Sequence, residues 1–192
     1  MTMPAALLSL ERLDCPGCSS GPLSFALRPG LSLVRGGEQR GKSSLLRLIA
    51  AAAAARGLGC FLADPLDPAQ DPTPARAWLA ALREQQAAGW RADIAAALGT
   101  AFALDEHLDK ALFMLSAGSR RKLGLVAAAA SGAAITLLDQ PFAALDGRSA
   151  RLLGELLAEA AEGRERAWVL ADYELPAALA GVPLAATIEL GD

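Results

Sequence analysis

Eight consecutive residues constrain this chain more than any other stretch: Gly36-Gly37-Glu38-Gln39-Arg40-Gly41-Lys42-Ser43. They fit the pattern G-x-x-x-x-G-K-[ST] in full, and that pattern needs a strand before it and a helix after it. Both are present. Leu31–Val34 is an apolar strand candidate, and a helix-forming stretch runs from about Lys42 to Arg56 with Gly57 as its stop signal. The glycines let the backbone turn so that its N–H groups converge on an anion, and the helix N-terminus adds a favourable dipole. In such a loop Lys42 reaches the β- and γ-phosphates of a nucleotide, and the Ser43 hydroxyl is a ligand for Mg²⁺. Residues 36–44 (Gly36, Gly37, Glu38, Gln39, Arg40, Gly41, Lys42, Ser43 and Ser44) are therefore the candidate nucleotide-binding set. The plainer reading is a glycine-rich turn that happens to precede a lysine. The chain has fifteen Arg and only three Lys, so a Lys at the required position argues against coincidence.

The order of elements points to an α/β fold. Leu7–Leu13 and Leu23–Leu27 read as short strands around a Cys-Pro-Gly-Cys-Ser-Ser-Gly-Pro turn region, and Cys60–Ala63 as a buried strand. Asp64–Pro74, with four Pro and three Asp, reads as loop. Helices are expected over Pro74–Ala88, Trp90–Leu98, Asp105–Met114 and Leu115–Ala130. Then come a strand at Ala134–Leu138, a helix at Arg148–Ala161, a strand at Ala167–Ala171 and a last one at Thr187–Leu190. Strands separated by helices favour a parallel sheet flanked by helices. The 192 residues suit one domain. Its sheet core is expected at about 1–73 and 131–192, with a helical subdomain inserted at about 74–130.

Composition narrows the function classes. A net charge of −3 supplies no global basic field, so nucleic acid is not an expected partner. A single histidine, His107, excludes any metal site needing two. Three cysteines (Cys15, Cys18, Cys60) and an N-terminus without a basic segment suggest a reducing, cytoplasmic setting. The longest uncharged run, Leu123–Leu138, has sixteen residues and is broken by Ser131-Gly132. It is too short to span a bilayer, so direct membrane insertion is not expected and a membrane role would come through a partner.

A second nucleotide motif supports the first. Ala134-Ile135-Thr136-Leu137-Leu138-Asp139 is an apolar strand ending in an acid, and such a carboxylate sits beside the Mg²⁺ water shell. Twenty-three residues before Asp139 stands Ser116, within Leu115-Ser116-Ala117-Gly118-Ser119. This stretch resembles the signature motif of ATP-binding cassette (ABC) ATPases. Asp139-Gln140-Pro141 resembles the family's Asp-Glu-Pro, and Ala144-Leu145-Asp146 its D-loop. The likeness covers about residues 7 to 190. Leu115–Asp146 looks most like the ATPase subunit of haem exporters of cytochrome c biogenesis.

The resemblance implies a P-loop NTPase of ABC type: a mainly parallel sheet, an inserted helical subdomain and a reduced antiparallel β-subdomain. It implies ATP and Mg²⁺ as ligands, a second ABC subunit (identical or different) and a membrane permease as partners, and a place at the inner face of the membrane. Two subunits would close head to tail, with Leu115, Ser116, Ala117, Gly118 and Ser119 of one covering ATP held by the other. Ser43, Asp139 and Asp64 are the residues carried over to the metal side, with Gln70 the other candidate for the position of Asp64. Asp146 marks the D-loop, and Arg120 is a further candidate near the nucleotide.

Two positions depart from the family pattern. Gln140 stands where a catalytic glutamate belongs, and a neutral amide orients water but is a poor base. Tyr173 stands thirty-three residues after Gln140, where a histidine belongs; it donates a hydrogen bond but carries no positive charge at neutral pH. Loss of both groups fits divergence better than one introduced substitution. The expectation is an ATP-binding transport subunit with weak or absent hydrolysis. The alternative is a non-enzymatic module that dimerises or scaffolds on ATP without a transporter. Cys15–Cys18 reads as a structural turn, His107 as a solvated histidine in a polar helix, and Trp78, Trp90 and Trp168 as core or interface anchors.

Overall fold

The computed structural model describes residues 4–18 and 21–191; Ser19 and Ser20 of the early turn region lie outside them. The chain divides into two compact units. One comprises Met1–Leu62, Ala134–Gln140 and Arg151–Asp192; the other comprises Ala63–Ala133 and Pro141–Ala150.

The first unit is built on five strands: β3 (Gly30–Arg35), β4 (Cys60–Phe61), β5 (Ile135–Asp139), β6 (Ala167–Asp172) and β7 (Ala186–Glu189). They lie in the order β4-β5-β6-β3-β7, and every neighbouring pair is parallel. The sequences explain this. β3 and β6 are buried at every position but the last, the continuous apolar run of strands covered on both faces. β1 (Leu8–Leu13) and β2 (Leu23–Leu27) form a separate antiparallel pair, the reduced β-subdomain. The strand expected at Cys60–Ala63 shortens to Cys60–Phe61, an edge strand with one partner. Helix α1 (Lys42–Ala55) packs on β4, β5 and β6 through Leu45, Leu46, Ile49 and Ala53, which recur on one face. Each large aliphatic side chain buried there contributes about 1.5–3 kcal/mol.

Register sets the functional edge. Arg35 pairs with Asp172, and Asp139 pairs with Ala171. The last residues of β3, β5 and β6 therefore emerge together, at the carboxyl ends of the strands where open α/β sheets bind ligands.

The second unit is helical, with α2 (Ala75–Gln85) and α3 (Ala92–Ala101) both packed on α4 (Ala117–Ala130). α4 is buried continuously from Leu123 to Ala130, and its alanines allow close packing. Trp78 is buried in this unit, and Trp168 in the first. The helix expected at Asp105–Met114 is instead two short 3₁₀ turns, Asp105–His107 and Leu112–Met114. Tertiary pairing breaks it. Ala111 bridges to Pro74, and the Ala75 and Arg76 N–H groups donate to the Lys110 and Leu108 carbonyls. Those bonds take carbonyls that a continuing helix would use, and Ala111 is extended. His107 is correspondingly more covered than a solvated histidine, with Lys110 Nζ 3.1 Å from its Nδ1. Among the described residues no helix is long and apolar enough to cross a membrane. The uncharged run from Leu123 divides between α4 and β5 at Ser131, whose hydroxyl donates to the Ala128 carbonyl. Helix α5 (Gly147–Glu162) completes the elements.

Candidate functional site

β3 delivers the chain to Gly36, and α1 begins at Lys42. Gly41 is the N-cap, with φ 78° and ψ 12°, a left-handed conformation that glycine adopts without a Cβ penalty. Its carbonyl already accepts the first helical bond, from Leu45 N–H at 2.8 Å. α1 has no acidic residue in its first turn, so the partial positive charge of its N-terminus is not neutralised locally. The Lys42 ammonium is buried and donates to the carbonyls of Gly36 (2.7 Å) and Gly37 (2.6 Å). It is folded back along the loop it would share with a phosphate. Glu38 and Gln39 are exposed, and Arg40 and Ser44 half-buried.

The Ser43 hydroxyl donates to Asp139 Oδ2. α1 and β5 thus bring together two hard oxygen donors, the kind Mg²⁺ takes when phosphates and water complete its shell. Among the described residues no cluster of three or more His, Cys, Asp or Glu could hold a metal ion. Gln140 follows directly, at φ 45°, with its N–H bonded to the Ala171 carbonyl at 2.9 Å. Tyr173 leaves the end of β6 and lays its ring over Lys42 Nζ, 4.1 Å from the centroid. Its hydroxyl lies 3.5 Å from Glu38 Oε1.

Asp172 is a site residue that sequence reasoning missed. It is half-buried at the end of β6, and its carboxylate accepts the Tyr173 N–H at 2.8 Å. Burial pushes its carboxyl up; the Tyr173 N–H and the Lys42 charge pull it down, while Asp139 and Glu174 push it up. The available signal was an acid at the C-terminal end of a buried strand, the same signal that singled out Asp139.

The remaining sequence candidates belong to the second unit. Asp64 is exposed and accepts the Leu66 N–H at 2.9 Å, an Asx turn. Gln70 ends a 3₁₀ turn, Pro68–Gln70. Leu115 is buried and extended, and Ser116 is the N-cap of α4, accepting the Ser119 N–H at 3.1 Å. Ala117 opens the helix. Gly118 is fixed by a close approach: a Cβ there would fall on the Ala144 carbonyl oxygen. Asp146 accepts from Ser149 N–H and Ser149 hydroxyl, both at 2.9 Å, and pairs with Lys122 at 2.6 Å. Those partners, Lys122 first, hold its carboxyl far below the usual aspartate range. Arg120 is committed locally. It is buried, donates to the Pro65 carbonyl at 2.6 Å and pairs with Asp71 at 2.8 Å.

No family model matches the chain. The cytochrome c biogenesis ATP-binding export protein CcmA of Ruegeria pomeroyi is 33% identical over 157 residues, 76% of this chain and 72% of that protein. The phosphonates import ATP-binding protein PhnC of Chromohalobacter salexigens is 33% identical over 72 residues, 38% of this chain and 26% of its own length. Among solved structures, an ABC transporter ATP-binding protein from Pyrococcus furiosus superposes with a TM-score of 0.67 at 18% identity, covering 92% of each chain. The ATP-binding subunit of an ABC transporter gives 0.67 at 17% identity, covering 87% of this chain and 79% of its own. At such identities the structures speak to the fold alone, and the fold agrees with the sequence relationship. The chain belongs to the family of ATP-binding cassette (ABC) ATPase subunits.

Proposed function

We propose that this chain is the ATP-binding subunit of an ABC-type transport complex. It binds Mg·ATP at a dimer interface, drives or regulates a membrane permease from the cytoplasmic side, and hydrolyses ATP weakly or not at all. The observation that carries this reading is the convergence of Lys42, Ser43 and Asp139 at one sheet edge. Loop amides of residues 36–43 and the α1 N-terminus receive the phosphates, and Lys42 exchanges its two carbonyl partners for phosphate oxygens. Ser43 and Asp139 would hold Mg²⁺, which when bound offsets phosphate charge. Residues 115–119 of a second subunit, identical or different, cover the nucleotide from the other side.

Gln140 supports slow turnover. Its amide orients a water molecule but accepts no proton from it, and loss of a general base lowers a rate by about 10²–10⁴. Tyr173 offers a neutral donor in place of a cationic one. The curated relatives are named as export and import proteins, which favours transport over a free-standing scaffold. The test is calorimetric titration of the purified chain with Mg·ATP. Binding by the wild type and none by Lys42→Ala is expected; equal binding by both would overturn the assignment of the loop. Recovery of a membrane permease with the tagged chain is expected, whereas recovery of soluble partners alone would favour the scaffold.

A further inference from the structure

The turn Cys15-Pro16-Gly17-Cys18 has a use that the proposed nucleotide chemistry leaves aside. Cys18 N–H closes it on the Cys15 carbonyl at 3.1 Å. A β-turn keeps its first and last Cα atoms within about 7 Å, close to the span a disulfide bridges. Neither thiol is in a disulfide, and both face Gly41. The turn is moulded onto the phosphate loop. A Cβ placed on Gly41 would lie 2.7 Å from the Pro16 carbonyl oxygen, 3.2 Å from Cys18 Sγ and 3.3 Å from Cys15 Sγ. A Cβ on Gly17 would lie 3.2 Å from the Gln39 carbonyl oxygen and 3.3 Å from Gly41 N. Cys15 Sγ–H donates to the Gly41 carbonyl at 3.7 Å.

We infer that Cys15 and Cys18 form a reversible dithiol–disulfide site that sets how firmly residues 39–41 grip phosphate, with a low-molecular-weight disulfide such as glutathione disulfide as co-reactant. This rests on the nucleotide reading of the loop. Cys18 is the more accessible thiol and attacks first. Burial, with Cys18 beside it, pushes the Cys15 thiol up to about 12, so Cys15 is the slower nucleophile and its attack on the mixed disulfide is the slow step. Cys18 gives up its proton, its thiolate bonds to one sulfur of glutathione disulfide, that S–S bond breaks, and one glutathione thiolate leaves. Cys15 then loses its proton and attacks the Cys18 sulfur, releasing the second glutathione thiolate. Two protein thiols are oxidised, one glutathione disulfide is reduced to two glutathiones, and the two protons pass to the leaving thiolates. The product has no S–H for the Gly41 carbonyl. Closing the S–S bond also draws the two sulfurs together while Cys15 is in contact with the loop backbone.

The experiment uses the full chain in a Cys60→Ala background, equilibrated in reduced and oxidised glutathione. Three readouts are taken: intact mass, amide hydrogen exchange over residues 36–43, and Mg·ATP affinity. Expected is the loss of two hydrogens, faster exchange in the loop, and affinity about three- to tenfold weaker, all reversed by dithiothreitol. Cys15→Ser and Cys18→Ser, each folded by circular dichroism, are expected to show no redox response in exchange or affinity. A chain that stays reduced in excess oxidant, one that stops at the glutathione adduct, or a disulfide that leaves loop exchange unchanged would each overturn the inference. If the reduced chain binds no Mg·ATP, the nucleotide reading fails, and loop exchange still decides this one.

Discussion

Lys42 Nζ sits 4.1 Å from the centroid of the Tyr173 ring, although 131 residues separate the two in the chain. The lysine is held by two loop carbonyls and capped by an aromatic face, so the loop holds an ordered cation. A cation over a partly exposed ring contributes about 0.5–1 kcal/mol. Tyr173→Leu is expected to lower the urea unfolding free energy of the nucleotide-free protein by that amount. Tyr173→Phe, which keeps the ring face, is expected to match the wild type. Equal loss in both variants would mean that the ring face contributes nothing.

Gln140 follows the last residue of β5 directly, and its backbone is tied to Ala171. A carboxylate there needs no rearrangement of the main chain. Gln140→Glu is expected to raise steady-state ATP turnover by about 10²-fold or more, measured as phosphate release, with Mg·ATP affinity changed little. An unchanged rate would show that the residue at position 140 does not limit turnover.

Ser116 and Gly118 have structural duties beside any contact with a partner's nucleotide. Ser116→Ala removes the N-cap acceptor of α4 and is expected to cost about 1 kcal/mol. Gly118→Ala forces a methyl group into the Ala144 carbonyl and is expected to cost about 1–3 kcal/mol. Denaturant midpoints of the isolated chain read both, without ATP. A Gly118→Ala protein as stable as the wild type would show that Ala144 moves aside at no cost.

Asp172 and Asp146 are expected to show opposite pH dependence. Burial first raises the Asp172 carboxyl, so the folded state holds its proton more tightly than the unfolded chain. Its contribution to stability is complete below the ordinary aspartate pKa of about 3.9 and is lost as pH rises through the elevated value. Asp172→Asn should therefore have a higher Tm than the wild type at neutral pH, with the gap closing in acid. Lys122 and Ser149 depress the Asp146 carboxyl. Its contribution is complete above the ordinary value and is lost as pH falls toward the depressed one. Asp146→Asn should have a lower Tm at neutral pH, and that gap too should narrow in acid. Thermal melts at several pH values check both signs.

Much of the first unit was legible before any coordinates. The apolar runs of β3, β5 and β6 and the Gly41-Lys42-Ser43 junction are local signals, because strand burial and helix initiation depend on neighbours along the chain. Asp105–Met114 was misread for the converse reason. Its helical composition is genuine, but bonds from Ala75 and Arg76 take its carbonyls and Ala111 is extended, and those donors lie over thirty residues away.

Residue types and spacing alone singled out the loop at 36–43 and the acid at the end of β5, and the family resemblance set positions 140 and 173 apart, since each is a matter of which group stands where. Only the folded chain decided that Tyr173 covers Lys42, that Arg120 turns inward to Pro65 and Asp71, and that a cysteine turn backs Gly41. These are contacts between segments far apart in sequence. They are selected by close packing and parallel strand register, which periodicity along a single segment does not encode.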